Sequence, residues 1–359
     1  MTIYYVAPDI SRPSGGVRTI YRHVDVLNRV GFDAAVLHTR RGFRCRWFDN
    51  ETKIAYPKLE LTSTDLLVVP EEYSLPQVKR LAPGVAKVIG NQNAYRTFRS
   101  AAFTRNSAAT PYTDAPDVLG ALVVSEDSRT YLSYAFPELD VAMVHQRIDP
   151  DVFHPDPPRR RKQIAVIPRK RPDDYRQVLA LLSNRHVLDG WNVVELSGMT
   201  ERAVAQSLRE SVLFISLNHA EGFGLPPAEA MASGCSVIGF HGMAGREYFR
   251  EPFAIAIEDG DVVALARHVE EFVSTYDQRA QELSELAHEA SRFICETYSE
   301  EREREELISF FEKTLVRLPH SSVRATITAR DLRLEPRWRH ELRRRLLPLG
   351  QRLLAGPNR

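Results

Sequence analysis

Residues Glu221 to Gly234 read E-G-F-G-L-P-P-A-E-A-M-A-S-G. Two carboxylates, Glu221 and Glu229, stand with seven residues between them. Gly222 and Gly224 let backbone N–H groups approach a ligand closely. Pro226 and Pro227 fit the first turn of a helix, whose N-terminus carries partial positive charge. Together these groups suit a ligand with both anionic and hydroxyl groups. A second glycine pair, Gly15-Gly16, falls between a short strand and a helix, where open parallel sheets bind ligands.

Such residues need a frame. Val212–Leu217 is a short apolar run with β-branched Val212 and Ile215 and reads as a buried parallel strand, and Ser236–Phe240 is a second. Gly234 fits the position just past the intervening helix. The stretch is therefore strand, glycine loop, helix, strand. In the first half, strands are expected at Ile3–Val6, Phe32–Leu37, Leu66–Val69, Lys87–Gly90 and Ala121–Ser125, with helices at Val17–Arg29 and Ser74–Leu81. In the second half, strands are expected at Gln163–Ile167 and Asn192–Leu196. Helices are expected there at Asp174–Ser183, Glu201–Glu210, Asp261–Thr275 and Gln278–Glu296. Polar residues 99–117 read as a surface loop. Residues 149–161 are rich in proline and charge, as a linker is. Ser299, followed by Glu300, Glu301 and Glu303, starts another helix. The expected class is α/β, with two Rossmann-like parallel-sheet domains at 1–150 and 162–298 joined by a linker at 151–161. A C-terminal helix at 299–318 and an arginine-rich tail at 319–359 follow.

At 359 residues there is room for two ordinary domains, and 43% apolar with 26% charged residues describes a soluble globular chain. A net charge of +1 provides no general attraction to nucleic acid, and no nucleic-acid partner is expected. Cys45, Cys235 and Cys295 are scattered, against a disulfide framework or zinc site. Residues 1–10 lack signal-peptide features, and no apolar run approaches the roughly 20 residues that span a bilayer. A cytoplasmic location is expected.

From Glu221 to Val237 the pattern E-G-F-G-L-P-x-x-E-A-M-A-x-G-x-x-V closely resembles the signature of the retaining glycosyltransferases called family 4, which have the GT-B fold. Gly15-Gly16 resembles that family's N-terminal glycine loop. Val123–Glu126 with Asp149-x-x-x-Phe153 resembles the segment entering its interdomain linker, and Ile164–Lys170 the strand ending in its phosphate-binding basic residues. The resemblance covers about residues 1–315. It implies two domains facing across a cleft and transfer of a hexose from a nucleoside-diphosphate sugar to a glycan, lipid-linked or small-molecule acceptor. Glu221 would stabilise the donor sugar at its reacting carbon, and Arg169 would neutralise the departing diphosphate, with Lys170 second and Arg171 third. Glu229 would hold the ribose. Phe223 and Gly224 amides would hold sugar hydroxyls, and Leu225 would lie at the phosphates. Gly198 and Met199 would lie near the base, with Gly15 and Gly16 also on the donor. Such enzymes use no cofactor and usually no metal. Where many members have a histidine facing sugar and acceptor, this chain has Gly90-Asn-Gln-Asn93, which places Asn91 and Asn93 on the acceptor or sugar side.

Asp149-Pro-Asp151 matches the D-x-D pattern that holds metal in many glycosyltransferases, but its proline reads as a turn. His145, His219 and His241 read as structural or solvent-facing. In the tail, arginines from Arg324 to Arg352 interleave with Leu342, Leu346, Leu347, Leu349 and Leu353. A basic helix on an anionic membrane surface, within 324–353, and a helix docked on the protein both fit. Two other functions remain open: a nucleotide-sugar epimerase of the same fold, and a non-catalytic partner subunit.

Overall fold

The apolar runs of the first half become strands β1 (Ile3–Val6), β2 (Ala34–Leu37), β3 (Ile54–Ala55), β4 (Leu59–Thr62), β5 (Leu66–Pro70), β6 (Ala86–Asn91), β7 (Ala102–Phe103), β8 (Ala108–Ala109), β9 (Val118–Val123) and β10 (Val141–Met143). Helices α1 (Gly15–Arg29), α2 (Leu75–Arg80), α3 (Pro111–Asp114) and α4 (Glu126–Ala135) alternate with them. This is a computed structural model, and it describes residues 1–103, 108–319 and 322–334. Seven of the strands form a parallel sheet in the order β10-β9-β6-β5-β1-β2-β3. Parallel strands need a crossover after each, so all their C-terminal ends, with the loops that follow, lie at one sheet edge.

The second half repeats the plan. Strands β11 (Arg161–Val166), β12 (Asn192–Glu195), β13 (Ser211–Leu217), β14 (Ser236–Phe240) and β15 (Ala254–Ala256) form a parallel sheet in the order β12-β11-β13-β14-β15. Helices α5 (Pro172–Asn184), α6 (Glu201–Glu210) and α7 (Leu225–Ala232) alternate with them. Every residue of β13 is buried, as a central strand covered on both faces requires. Both sheets are Rossmann-like.

Three sequence expectations change. The two helices expected at Asp261–Thr275 and Gln278–Glu296 are one, α8 (Val262–Thr297). Nothing between Thr275 and Gln278 breaks a helix, and Tyr276 there packs edge-on against Trp191, with ring centroids 5.3 Å apart. Residues 99–117 are not simply a surface loop. Pro111 starts α3, and Tyr112 is buried, stacked on Phe136 at 4.9 Å. The arginine-rich segment begins as a strand, not a helix: β16 (Arg324–Ile327) pairs antiparallel with β4. Its residues alternate from exposed Arg324 to buried Ile327, a period of two that a strand satisfies and a helix does not. Tyr73 then donates to the Leu332 carbonyl at 2.6 Å, and Gln77 to that of Arg333 at 3.0 Å. The leucines from Leu342 onward lie outside the described residues.

Helix α9 (Glu300–Val316) is capped by Ser299, whose side chain accepts the Arg302 N–H. It returns to the first domain, where Leu307, Phe310 and Phe311 join the core formed by Tyr5, Tyr21 and Val24. Glu303 of α9 is buried against His23 of α1, with Oε1 3.8 Å from Nε2. Burial pushes the Glu303 carboxyl up to about 7, and pushes the His23 imidazole down to about 3. Between those values the pair is neutral, two polar groups in contact and not an ion pair. An unfolded glutamate ionises near 4.5. The folded state therefore holds an extra proton between about 4.5 and 7, and stability falls as pH rises through that window. Glu303→Gln should raise the melting temperature at pH 8, a gain of up to about 3 kcal/mol, and change it little at pH 4. Thermal unfolding at both values checks this, and a loss of stability at pH 8 would sink it.

Candidate active site

The signature leaves β13, turns through the glycines and enters α7. Gly224 adopts a left-handed backbone, φ +88°, and a Cβ there would fall 2.6 Å from Asn218 Nδ2 and 2.8 Å from the Tyr248 hydroxyl. That hydroxyl, fully buried, lies within hydrogen-bonding reach of the Phe223 and Gly224 carbonyls. Tyr248 thus fixes the loop from beneath. Phe223 is a core side chain, edge-on to Tyr298 at 4.9 Å, so only its backbone faces the loop's open side. At Gly222 a Cβ would sit 1.9 Å from the Gln92 carbonyl oxygen of the first domain. This glycine is required by close approach of the two domains.

Two cation–carboxylate contacts organise the cleft. Lys170 donates to Glu221 Oε1. Arg169 is exposed beside it and forms no ion pair among the described residues. Arg169, Lys170, Glu221 and Pro226 line a cavity of about 30 Å³, room for a water or two and far too little for a sugar nucleotide. Arg171, third in the basic run, is committed elsewhere. It pairs with Asp174 at 2.8 Å and with Asp259, and lies over the Phe240 ring at 4.9 Å.

The second contact involves a residue that the sequence reading did not single out. Arg18, on α1 just after Gly15-Gly16, donates to Glu229 of the signature and to Glu201 at the start of α6. All three side chains are nearly or largely buried. Burial alone would lower the guanidinium's pKa, but the Glu229 and Glu201 carboxylates outweigh it and hold it above its ordinary value. Arg18 is therefore a permanent cation bridging the two domains. Its location, two residues past a glycine loop on the cleft-facing end of α1, was the available signal.

The opposing wall comes from the end of β6. Gln92 donates to the Gly16 carbonyl at 2.9 Å, and Asn93 donates across the cleft to the Ala220 carbonyl at 2.8 Å. Ala220 itself has φ +41°, strained for a side-chain-bearing residue, immediately before Glu221. Asn91 points inward, donating to Thr97 at 2.9 Å and to Tyr112 at 2.7 Å, so of the two expected asparagines only Asn93 reaches the cleft. Glu71, after β5, accepts the Gln92 N–H at 3.4 Å. Burial, helped by neighbouring Glu72, pushes its carboxyl up to about 7. Gly15 abuts the signature helix: a Cβ would lie 2.7 Å from Leu225 Cδ1. The N-terminus of α4 is closed from the other domain by Glu247, which accepts the Glu126 N–H at 2.6 Å.

Gly198 is exposed after β12 with φ +69°, and Met199 packs on the second domain's core. Asp149 accepts the Asp151 N–H at 3.1 Å and pairs with Arg147, as a turn does. His145 meets Glu306, His219 meets Arg171, and His241 accepts the Met243 N–H. A larger cavity, about 460 Å³, lies between β10 and α9 and touches none of the signature residues.

Comparison with known proteins agrees with this fold. Residues 183–311 match the family model described as glycosyl transferases group 1. Over 255 residues, 65% of this chain and 71% of the relative, the chain is 30% identical to an alpha-1,6-glucosyltransferase of Actinobacillus pleuropneumoniae serotype 7. The fold is similar to that of sucrose-phosphate synthase from Thermosynechococcus elongatus, with a TM-score of 0.59 and 12% identity over 88% of this chain and 99% of that one. It is also similar to Anabaena HepE in complex with UDP and glucose, with a TM-score of 0.59 and 12% identity over 89% and 100%. With two Rossmann-like sheets of the GT-B fold and the signature seated between them, the chain belongs to the glycosyl transferases group 1 family and is a glycosyltransferase.

Proposed function

We propose that the chain moves a hexosyl group, glucosyl in the first instance, from a nucleoside-diphosphate sugar to a hydroxyl of a glycan, lipid-linked or small-molecule acceptor, with retention and without a metal. The observation that carries this reading is the convergence of Arg169, Lys170 and Glu221 on one cavity at the N-terminus of α7. The relative's glucosyltransferase name supports the sugar. UDP and glucose in the Anabaena neighbour support a nucleotide sugar. In the reaction the acceptor oxygen bonds to the anomeric carbon while the bond from that carbon to the diphosphate breaks. The nucleoside diphosphate leaves with the electron pair, and its oxygen takes the acceptor's proton on the same face. Arg169 and Lys170 donate hydrogen bonds to the charge that develops on the diphosphate, the part a metal would otherwise play. Glu221 stabilises the positively charged sugar carbon, and Glu229 accepts from the ribose. The first domain, with Asn93 at its edge, takes the acceptor.

A thermal-shift panel of UDP-, GDP- and dTDP-sugars should single out one nucleotide by ligand-linked stabilisation. With that donor, Glu221→Ala should lose product formation at least about a hundredfold, and Arg169→Ala should weaken donor binding about tenfold. Turnover should survive excess EDTA, and loss that magnesium restores would reject the metal-free part. Arg18→Met leaves Glu229 and Glu201 buried and uncompensated, at a cost of about 3–5 kcal/mol to the closed arrangement. Small-angle scattering should then report a larger radius of gyration, and an unchanged radius would deny Arg18 its bridging role. Residues 324–353 carry enough arginine to suggest contact with an anionic membrane. Liposome co-sedimentation of the full chain against a truncation after Leu334 tests this, with equal binding counting against it.

A further inference from the structure

The loop that leaves β2 reads Arg40-Arg-Gly-Phe-Arg-Cys-Arg46, four arginines in seven residues with no acid among them, in a chain whose net charge is only +1. β2 runs parallel to β1, so this loop and the one carrying Gly15-Gly16 leave the sheet at the same, cleft-facing edge. The loop is firmly built. Phe43 and Cys45 are buried beneath it, and the Cys45 N–H donates to the Tyr21 hydroxyl at 3.1 Å. Arg44 donates to Asn50 at 2.7 Å and to the Thr52 carbonyl at 2.8 Å. The second domain holds it as well: the Glu201 N–H donates to the Trp47 carbonyl at 3.0 Å, and Arg202 pairs with Asp49.

These contacts leave Arg40, Arg41 and Arg46 unused, together with Arg12 on the neighbouring loop, where the Ile10 carbonyl meets Cys45 Sγ at 3.6 Å. All four are exposed, and none pairs with a carboxylate among the described residues. Arg40 lies over the Phe43 ring at 4.9 Å, which sets its direction without neutralising it. Exposed arginines elsewhere are mixed: Arg129, Arg176, Arg185 and Arg279 each have a carboxylate partner, while Arg80, Arg169, Arg267 and Arg304 form no ion pair among the described residues. Of the acids around the rim, Asp9 is engaged by His38, Asp49 by Arg202 and Glu201 by Arg18, while Glu51, farther along the loop, is exposed and forms no ion pair among the described residues. Like charges gathered at one rim repel each other, and an anionic ligand relieves that repulsion.

We propose that Arg12, Arg40, Arg41 and Arg46 form a binding site for an anionic group on the acceptor, a phosphate or a carboxylate carried near the hydroxyl that is glycosylated. The planar guanidinium fork matches both groups bidentately. The donor's diphosphate has its own cations in Arg169 and Lys170 at the end of β11, so the rim serves a second anion. This rests on the reading that the first domain takes the acceptor.

The test uses the full chain saturated with the nucleotide that raises its melting temperature most. It is probed against an array of neutral, phosphate-bearing and uronate-bearing glycans. Anionic glycans of one or both kinds should dominate the retained set. Arg41→Gln/Arg46→Gln should cut that retention about tenfold or more, the worth of one charge-assisted contact. The same double variant should keep the wild-type affinity for the nucleotide and the wild-type rate of donor hydrolysis, neither of which involves these side chains. Retention chiefly of neutral glycans, retention of none, or anionic retention that survives the double variant would each overturn the proposal. A wild-type chain that neither binds a nucleotide nor hydrolyses a donor would instead fail the glycosyltransfer reading.

Discussion

A single buried cation sets the shape of the cleft. Arg18 belongs to the first domain, and both carboxylates it meets, Glu229 and Glu201, belong to the second. Away from water both carboxylates depend on that one guanidinium, since removing Arg18 leaves their buried charges uncompensated. The lesser contacts follow from the closure it imposes. Gln92 can reach Gly16, Asn93 can reach the Ala220 carbonyl, and Glu247 can close the α4 N-terminus only when the two sheets face each other at this distance. Gly222 has its place for the same reason, because any side chain there would strike the Gln92 backbone.

The sequence made the frame legible because its frame is local. A buried parallel strand is a short apolar run, and a helix shows a period of 3.6, so Ile3–Val6, Glu201–Glu210 and Ser236–Phe240 match their strands and helix in extent. The signature was legible for a related reason: residues from Glu221 to Gly234 serve one turn of chain, and their types are fixed by that turn. The misreadings lie where distant segments meet. Nothing local says that Arg324–Ile327 will find β4 as a partner, and its arginines point toward other readings. Tyr112 looks like a loop residue until Phe136 is placed against it. Asn91 and Asn93 are near neighbours with the same chemistry, and only the end of β6 decides that one turns inward and the other crosses the cleft. Arg18 is the plainest case, since its partners lie 183 and 211 residues away.

The carboxylates of the cleft already have partners within the protein. Each signature glutamate is held by a cation of the chain itself, Glu221 by Lys170 and Glu229 by Arg18. If these carboxylates serve the donor as proposed, binding is an exchange: sugar and ribose hydroxyls replace ammonium and guanidinium groups, and the released cations are left beside a diphosphate that can take them. An exchange of this kind lowers apparent affinity by the fraction of molecules already open. It also keeps the carboxylates oriented until the donor arrives, so no group of the site must be built at the moment of binding. The arginine rim on the β2 loop differs because its cations have no carboxylate partner among the described residues. A charge that the fold leaves unbalanced, on a loop that the fold otherwise fixes by buried contacts, points outward to something the fold does not contain.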